Sequence, residues 1–165
     1  MTKSYPLSEM LVQMQKNWPE GVSLETELFL SMSRFSEVLD QNCTQVLEEF
    51  DLTNGAFEAL VALRGRPEPR QMSPSELYRS LLMTSGGMTK ILKQLETDGL
   101  INRVAHKTDK RSSMVQLTEK GKDLAERAMQ KVMAGDRRVI YQNLSPEEVQ
   151  TLRDTLLTVV TKLGV

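Results

Sequence analysis

At 165 residues the chain is long enough for one domain with a sizeable core, and its formal net charge of −1 argues neither for nor against a nucleic-acid partner. One cysteine excludes an intrachain disulfide and fits a reducing cytoplasm. There is no apolar run of ~18 residues and no signal-peptide pattern, so neither a membrane span nor export is expected.

The chain opens with Leu7, Met10, Leu11 and Met14, the spacing of a short amphipathic helix stopped before Trp18-Pro19. Such a helix is too short to be stable alone and must pack on something. Trp18 reads either as a core or interface anchor or as one wall of a ligand pocket. Ser23 caps a long helix with Glu25 and Glu27 in its first turn, where the helix dipole favours acids. Leu28, Met32, Phe35 and Leu39 form its inner stripe, continued by Val46, Leu47 and Phe50 until Asp51-Leu52-Thr53 breaks it. Cys43 on this helix reads as a small buried hydrophobe. An oxidant-sensing role would need a lowered thiol pKa, which Glu48 and Glu49 oppose. Thr53 or Asn54 then caps a helix carrying Phe57, Leu60, Val61 and Leu63, and Gly65-Arg66-Pro67-Glu68-Pro69 ends it in a loop.

Ser73 to Leu117 is the stretch around which the chain is organised. Ser73-Pro74-Ser75-Glu76 is a capping box with proline at the first helical position, and Leu77 and Leu81 face inward behind it. A second helix opens near Thr84 or Ser85. Met88, Ile91, Leu92 and Leu95 make its apolar stripe, while Thr84, Ser85, Thr89, Lys90 and Lys93 occupy the other side. Gly86-Gly87 cost about 1 kcal/mol each inside a helix. They either mark a late start, lying in the first turn, or let the helix N-terminus approach a phosphate or base edge closely; the two readings are compatible. Gly99 provides a left-handed cap. Two alternating runs come next, Ile101 to Ala105 and Ser113 to Leu117, joined by the polar, mostly basic tip His106-Lys107-Thr108-Asp109-Lys110-Arg111-Ser112. Asp109 stands two residues from Arg111 and is placed to brace its guanidinium. Residues 64–111 hold ten Lys/Arg and five acids, about +5, leaving about −6 elsewhere, so the basic surplus sits on this lobe.

Thr118 starts another long helix, with Leu124, Ala128, Val132, Val139 and Ile140. Ser145-Pro146-Glu147-Glu148 is a second capping box, whose helix shows Val149, Leu152, Leu156, Val159, Val160 and Leu163 and is closed by Gly164. The terminal helices carry more apolar surface than a monomer obviously buries, and an intertwined dimer would bury it. The stripes alone only permit such a dimer; the expected fold is mainly α with a small β-wing, a winged helix-turn-helix plus N- and C-terminal dimerisation helices. Its parts are N-terminal dimerisation helices over 1–52, a DNA-binding lobe over 53–118 (helix-turn-helix 73–98, wing 101–117) and C-terminal dimerisation helices over 119–165.

The segment DKRSSMVQLTEKGK resembles the wing-and-exit signature of the MarR family of transcriptional regulators, D-x-R-x(5)-L-T-x-x-G. The matching residues are Asp109, Arg111, Leu117, Thr118 and Gly121, and SPSELYRSLLMTSGGMTKILKQLETDGLI is similar to that family's helix-turn-helix. The resemblance covers nearly the whole chain. It implies a homodimer that inserts one recognition helix per subunit into successive major grooves of duplex DNA. Ser73, Thr84, Ser85, Gly86, Thr89, Lys90 and Lys93 are the expected contacts from the helices; Arg103, Lys107, Asp109, Lys110 and Arg111 are those expected from the wing. It also implies a small aromatic or phenolic anion as effector. FEALVALRGRPEP with the helix-turn-helix segment is similar to the urate-responsive branch; Trp18 and Arg64 would correspond to its pocket residues, Arg64 otherwise reading as a solvated helix end, and Glu58 stands where an aspartate is typical.

An enzyme is not expected. The single histidine, His106, lies in the wing and reads as a surface residue or a phosphate contact. No Ser/His/Asp set, metal-ligand cluster or phosphate-binding loop is present. The expectation is therefore a cytoplasmic, nucleoid-associated, ligand-responsive repressor acting on a pseudo-palindromic operator, without cofactor or membrane partner. The alternatives are an oxidant sensor acting through Cys43 and a winged-helix protein-interaction module.

Overall fold

The computed structural model describes residues 5–81, 85–105 and 113–164. The chain forms two compact units, Met1–Asn42 and Cys43–Val165. The first contains helix α1 (Leu7–Asn17), a single 3-10 turn (Pro19–Gly21) and most of helix α2 (Leu24–Glu48). Helix α1 stops where expected, and the Ser23 hydroxyl accepts from the Thr26 amide at the start of α2. The expected inner stripe differs from what is observed: Leu28, Met32 and Phe35 stand exposed in the single chain, as do Phe29 and Val38, and Leu39 is half-buried. Their spacing is that of a buried face, but this unit alone does not enclose it.

The second unit is built on helix α3 (Asn54–Arg64), which is apolar nearly all round: Ala56, Phe57, Ala59, Leu60 and Leu63 are buried. Thr53 is its cap, accepting from the Ala56 amide. Asp51, at a left-handed φ of 54°, turns the chain out of α2 just before it. Then come strand β1 (Gln71–Met72), helix α4 (Pro74–Ser80), helix α5 (Ser85–Thr97), strands β2 (Ile101–Ala105) and β3 (Ser113–Leu117), and helices α6 (Glu119–Tyr141) and α7 (Pro146–Leu163). The strands make an antiparallel sheet in the order β1-β3-β2, with Ile101 opposite Leu117 and Ala105 opposite Ser113. Strand β1 is not signalled by the sequence; two residues are too few to show an alternating pattern.

One cluster forms the core of this lobe. Leu60 and Leu63 of α3, Leu77 of α4, Met88 and Leu92 of α5, Ile101 of β2 and Val115 of β3 are all fully buried. Burying each such side chain contributes about 2 kcal/mol before chain entropy is counted. A second cluster joins Leu47, Phe57, Ala128 and Val132, with Cys43 half-buried against it.

Helix α6 packs on α3, and its buried residues are Gly121, Ala125, Ala128, Val132 and Gly135, a stripe of mostly small residues recurring every three or four positions. Small residues let helix backbones approach, so the buried stripe lies beside Leu124 rather than on it. Helix α7 has no buried residue; Leu152, Leu157, Val159, Val160 and Leu163 are exposed and only Val149 and Leu156 are half-buried.

Both capping boxes form. In α4 the Ser73 hydroxyl accepts from the Glu76 amide while the Ser73 amide donates to the Glu76 carboxylate at 2.8 Å. In α7, Ser145 and Glu148 do the same. The Ser73 amide, then its hydroxyl, hold the Glu76 carboxyl below its ordinary value of 4.5. A lowered folded value means that this contribution is present above 4.5 and is lost as pH falls through the folded value. Glu76→Gln keeps a capping-box residue that does not titrate. It is expected to flatten the decline of the urea midpoint below about pH 4.5, an acid-range titration of unfolding being the check.

Candidate nucleic-acid interface

Helix α5 begins at Ser85, so Gly86 and Gly87 lie in its first turn. Met88, Leu92 and Leu95 point into the core and Ile91 is half-buried. Thr89, Lys90 and Lys93 are exposed on the other side, and neither lysine forms an ion pair among the described residues. The division between core face and polar face is therefore the expected one. Of the other expected contacts, Thr84, Lys107, Asp109, Lys110 and Arg111 lie outside the described residues, as do His106 and the side chains of Ser85 and Gly86.

The C-terminal end of α5 is fastened to the first turn of α6. Gly99 has φ +69° and the Leu100 amide donates to the Leu95 carbonyl at 2.9 Å, a Schellman closure. Three groups from the start of α6 then hold the exit. Lys120 Nζ donates to the Asp98 carbonyl at 2.7 Å, Thr118 Oγ1 to the Gly99 carbonyl at 2.9 Å, and the Thr118 amide to the Leu100 carbonyl at 3.1 Å. Thr118 also caps α6 by accepting from the Gly121 amide. Gly121 allows the approach: a Cβ there would fall 2.1 Å from the Leu100 carbonyl oxygen. Leu117, Thr118 and Gly121 are thus a core residue, a latch and a close contact.

On the wing, Arg103 of β2 faces α5. Its Nε lies 3.5 Å from the Glu96 carboxylate and its Nη1 donates to Ser113 Oγ at 3.4 Å. Arg70 braces the other edge of the sheet, pairing with Glu68 and, at 3.3 Å, with Glu119, while its carbonyl accepts from the Leu117 amide. Lys122 first, and then Arg70, hold the Glu119 carboxyl below its ordinary value. Ser73, expected as a DNA contact, uses its hydroxyl in the α4 cap. Sequence reasoning misses Glu96, Lys120 and Arg70. Glu96, three residues after Lys93, carries a signal in its helical spacing, whereas Arg70 acts through a backbone conformation (φ 52°) that its residue type does not announce.

Of the three expected pocket residues, Trp18 belongs to the first unit and Glu58 and Arg64 to the second. Trp18 is exposed in the first unit, its ring lying against Gly21, where an added Cβ would meet ring carbons at 2.6 Å. Arg64 pairs with Glu126 of α6 at 2.6 Å and lines a groove of about 350 Å³ with Val61, Ala125, Met129 and Gln130. Glu58 is exposed elsewhere on α3 and does not line that groove, because six residues of helix separate it from Arg64 by ~120° of rotation. Among the described residues no group of three or more His, Cys, Asp or Glu is placed to hold a metal, and no helix is long and apolar enough to cross a membrane.

Two helices close in sequence, the second with its polar face outward, followed by an antiparallel ribbon on the same core, define a winged helix-turn-helix protein. A sequence profile described as MarR family matches residues 50–112. The chain is 32% identical over 132 residues to an uncharacterized HTH-type transcriptional regulator of Bacillus anthracis, covering 80% of this chain and 86% of that one. It is 29% identical over 147 residues to the HTH-type transcriptional regulator PecS of Dickeya dadantii (strain 3937), covering 88% of both. Among solved structures, wild-type MarR from E. coli in its apo form superposes with a TM-score of 0.72 at 26% identity, over 84% of this chain and 97% of that one. A mutant of the same protein complexed with operator DNA superposes with a TM-score of 0.70 at 25% identity, over 89% and 97%. The chain belongs to the MarR family, whose members are transcriptional regulators and not enzymes.

Proposed function

We propose that this regulator is a homodimeric, sequence-specific DNA-binding repressor that responds to a small molecule. One observation carries the DNA-binding part: α5 buries Met88, Leu92 and Leu95 and turns Thr89, Lys90 and Lys93 outward, beside the β2–β3 ribbon. A helix offering hydroxyls and ammoniums in this way fits a major groove, where side chains meet base edges and phosphates. The E. coli MarR mutant solved with operator DNA supports the same use of the lobe. In a dimer the two recognition helices would meet half-sites about one turn, ~10 bp, apart. The exposed apolar side chains of α2 and of α7 support a dimer, since isolated exposed aliphatics are ordinary but long apolar stripes are not.

The effector we assign is an aromatic or phenolic anion. Arg64 supports it, being a half-buried cation beside the apolar Val61, Ala125 and Met129. An anion there would compete with Glu126 for the guanidinium. It would relieve repression only by binding one arrangement of the dimer better than the other.

The test is fluorescence anisotropy with the protein's own upstream DNA across a salt series. Specific binding that weakens steeply with salt is expected, and Arg111→Ala is expected to weaken it strongly while the dimer stays folded. Salt-insensitive binding, or none, would instead favour a protein-interaction role. A panel of aromatic carboxylates and phenols that raises the melting temperature and releases the DNA would identify the effector class.

A further inference from the structure

The polar face of α5 contains an acid in an unfavourable place. Thr89, Lys93 and Glu96 fall within ~60° of one another round the helix, since successive residues advance ~100°. A carboxylate on the stripe that meets DNA repels phosphate unless a cation cancels it. Arg103 is that cation: its guanidinium reaches from β2 to Glu96 on α5 and to Ser113 on β3, linking three elements. Ile101, two residues earlier on the same face of β2, is fully buried, so Arg103 emerges where the core ends and the helix edge begins. The side chains are 35% and 43% exposed, too open for the pair to add much to folding.

We propose that Arg103 is a positioning residue and not a phosphate contact: it neutralises Glu96 and ties the root of the wing to the recognition helix, so that both enter DNA in one register. This rests on the DNA-binding function proposed above. It assigns to Arg103 a role different from that of Lys90 and Lys93, which have no carboxylate partner among the described residues.

A double-mutant cycle on the full-length protein separates the possibilities. Arg103→Gln, Glu96→Gln and the double variant are measured against operator and scrambled duplex over a salt series, with thermal melts as a folding control. Arg103→Gln is expected to weaken operator binding about tenfold, because Glu96 is left unpaired at the interface. The double variant, which keeps the net charge, is expected to recover most of that loss and the wild-type salt slope. Glu96→Gln alone is expected to tighten scrambled-duplex binding and narrow the ratio between the two duplexes. That measurement decides the matter should Arg103→Gln not fold. An arginine that touches phosphate gives a different pattern: the same loss in both backgrounds, a slope shallower by about 0.9 for each arginine removed, and an unchanged ratio in Glu96→Gln. That pattern overturns the proposal while leaving the DNA-binding function intact. Wild-type protein with no salt-sensitive operator binding overturns the function itself, and the positioning role with it.

Discussion

Gly121→Ala is expected to lower the free energy of unfolding by about 3 kcal/mol and to abolish operator binding at physiological temperature. The added Cβ would sit 2.1 Å from the Leu100 carbonyl oxygen and 2.9 Å from Leu117 Cδ1. The leucine methyl can move aside; the carbonyl cannot. It is held by the Thr118 amide at 3.1 Å, and the adjoining Leu100 amide closes α5 on the Leu95 carbonyl. Relief therefore requires α6 to lift from the exit of the recognition helix, breaking the Thr118 latch and the Lys120 bond to Asp98. Gly65→Ala is the control. Gly65 lies in the right-handed helical region and its nearest neighbours to an added Cβ are at 3.6 Å, so a change within about 0.5 kcal/mol is expected. Gly99→Ala falls between them: the space is open but φ is +69°, a strain of about 1 kcal/mol. Guanidinium unfolding of the three variants gives the ranking directly, and equal midpoints for Gly121→Ala and Gly65→Ala would show that α6 does not approach Leu100 in solution.

Gly121 also shows what the sequence makes legible and what it does not. Its place in an L-T-x-x-G pattern marks it as belonging to a family, but no residue type states which backbone it touches; that appears only when α6 is laid on the start of β2. Local chemistry is readable wherever the signal is short-range. Ser73 with Glu76, Ser145 with Glu148, Thr53, Thr118 and Gly99 each set an element boundary through hydrogen bonds or a dihedral angle spanning a few residues, and each boundary stands where expected. The core face of α5 is readable because large aliphatics repeat at helical spacing. The buried stripe of α6 is not, since Gly121, Ala125 and Gly135 bury by being small and hydrophobic periodicity gives them little weight. The α2 stripe shows the opposite limit. Leu28, Met32 and Phe35 have the spacing of a buried face, but spacing does not say whether the cover comes from the same chain.

Within the candidate site the same distinction holds. Lys90 and Lys93 are legible as an exposed cationic face because their neighbours on the helix determine where they point. Arg103 is legible as a cation on the wing, but not as a partner of Glu96, since that pairing depends on the angle between β2 and α5.

Adjacent residues of α5 should therefore fail in opposite ways when truncated. Leu92 is fully buried among the side chains of the lobe core, and Leu92→Ala is expected to cost about 3 kcal/mol, the lost transfer energy plus the cavity left behind. Against a total stability of about 5–15 kcal/mol, that leaves a much less stable lobe. Its operator affinity should fall with the folded fraction and recover on cooling toward the temperature of maximum stability. Lys93 is exposed, and alanine is the better helix former, so Lys93→Ala should leave stability within about 0.5 kcal/mol. Its loss should appear in the salt dependence instead, with a log–log slope shallower by about 0.9 for each phosphate contact removed. If Lys93→Ala instead shifts the melting temperature as far as Leu92→Ala and leaves the salt slope alone, then the outward face of α5 is a packing surface and the interface lies elsewhere.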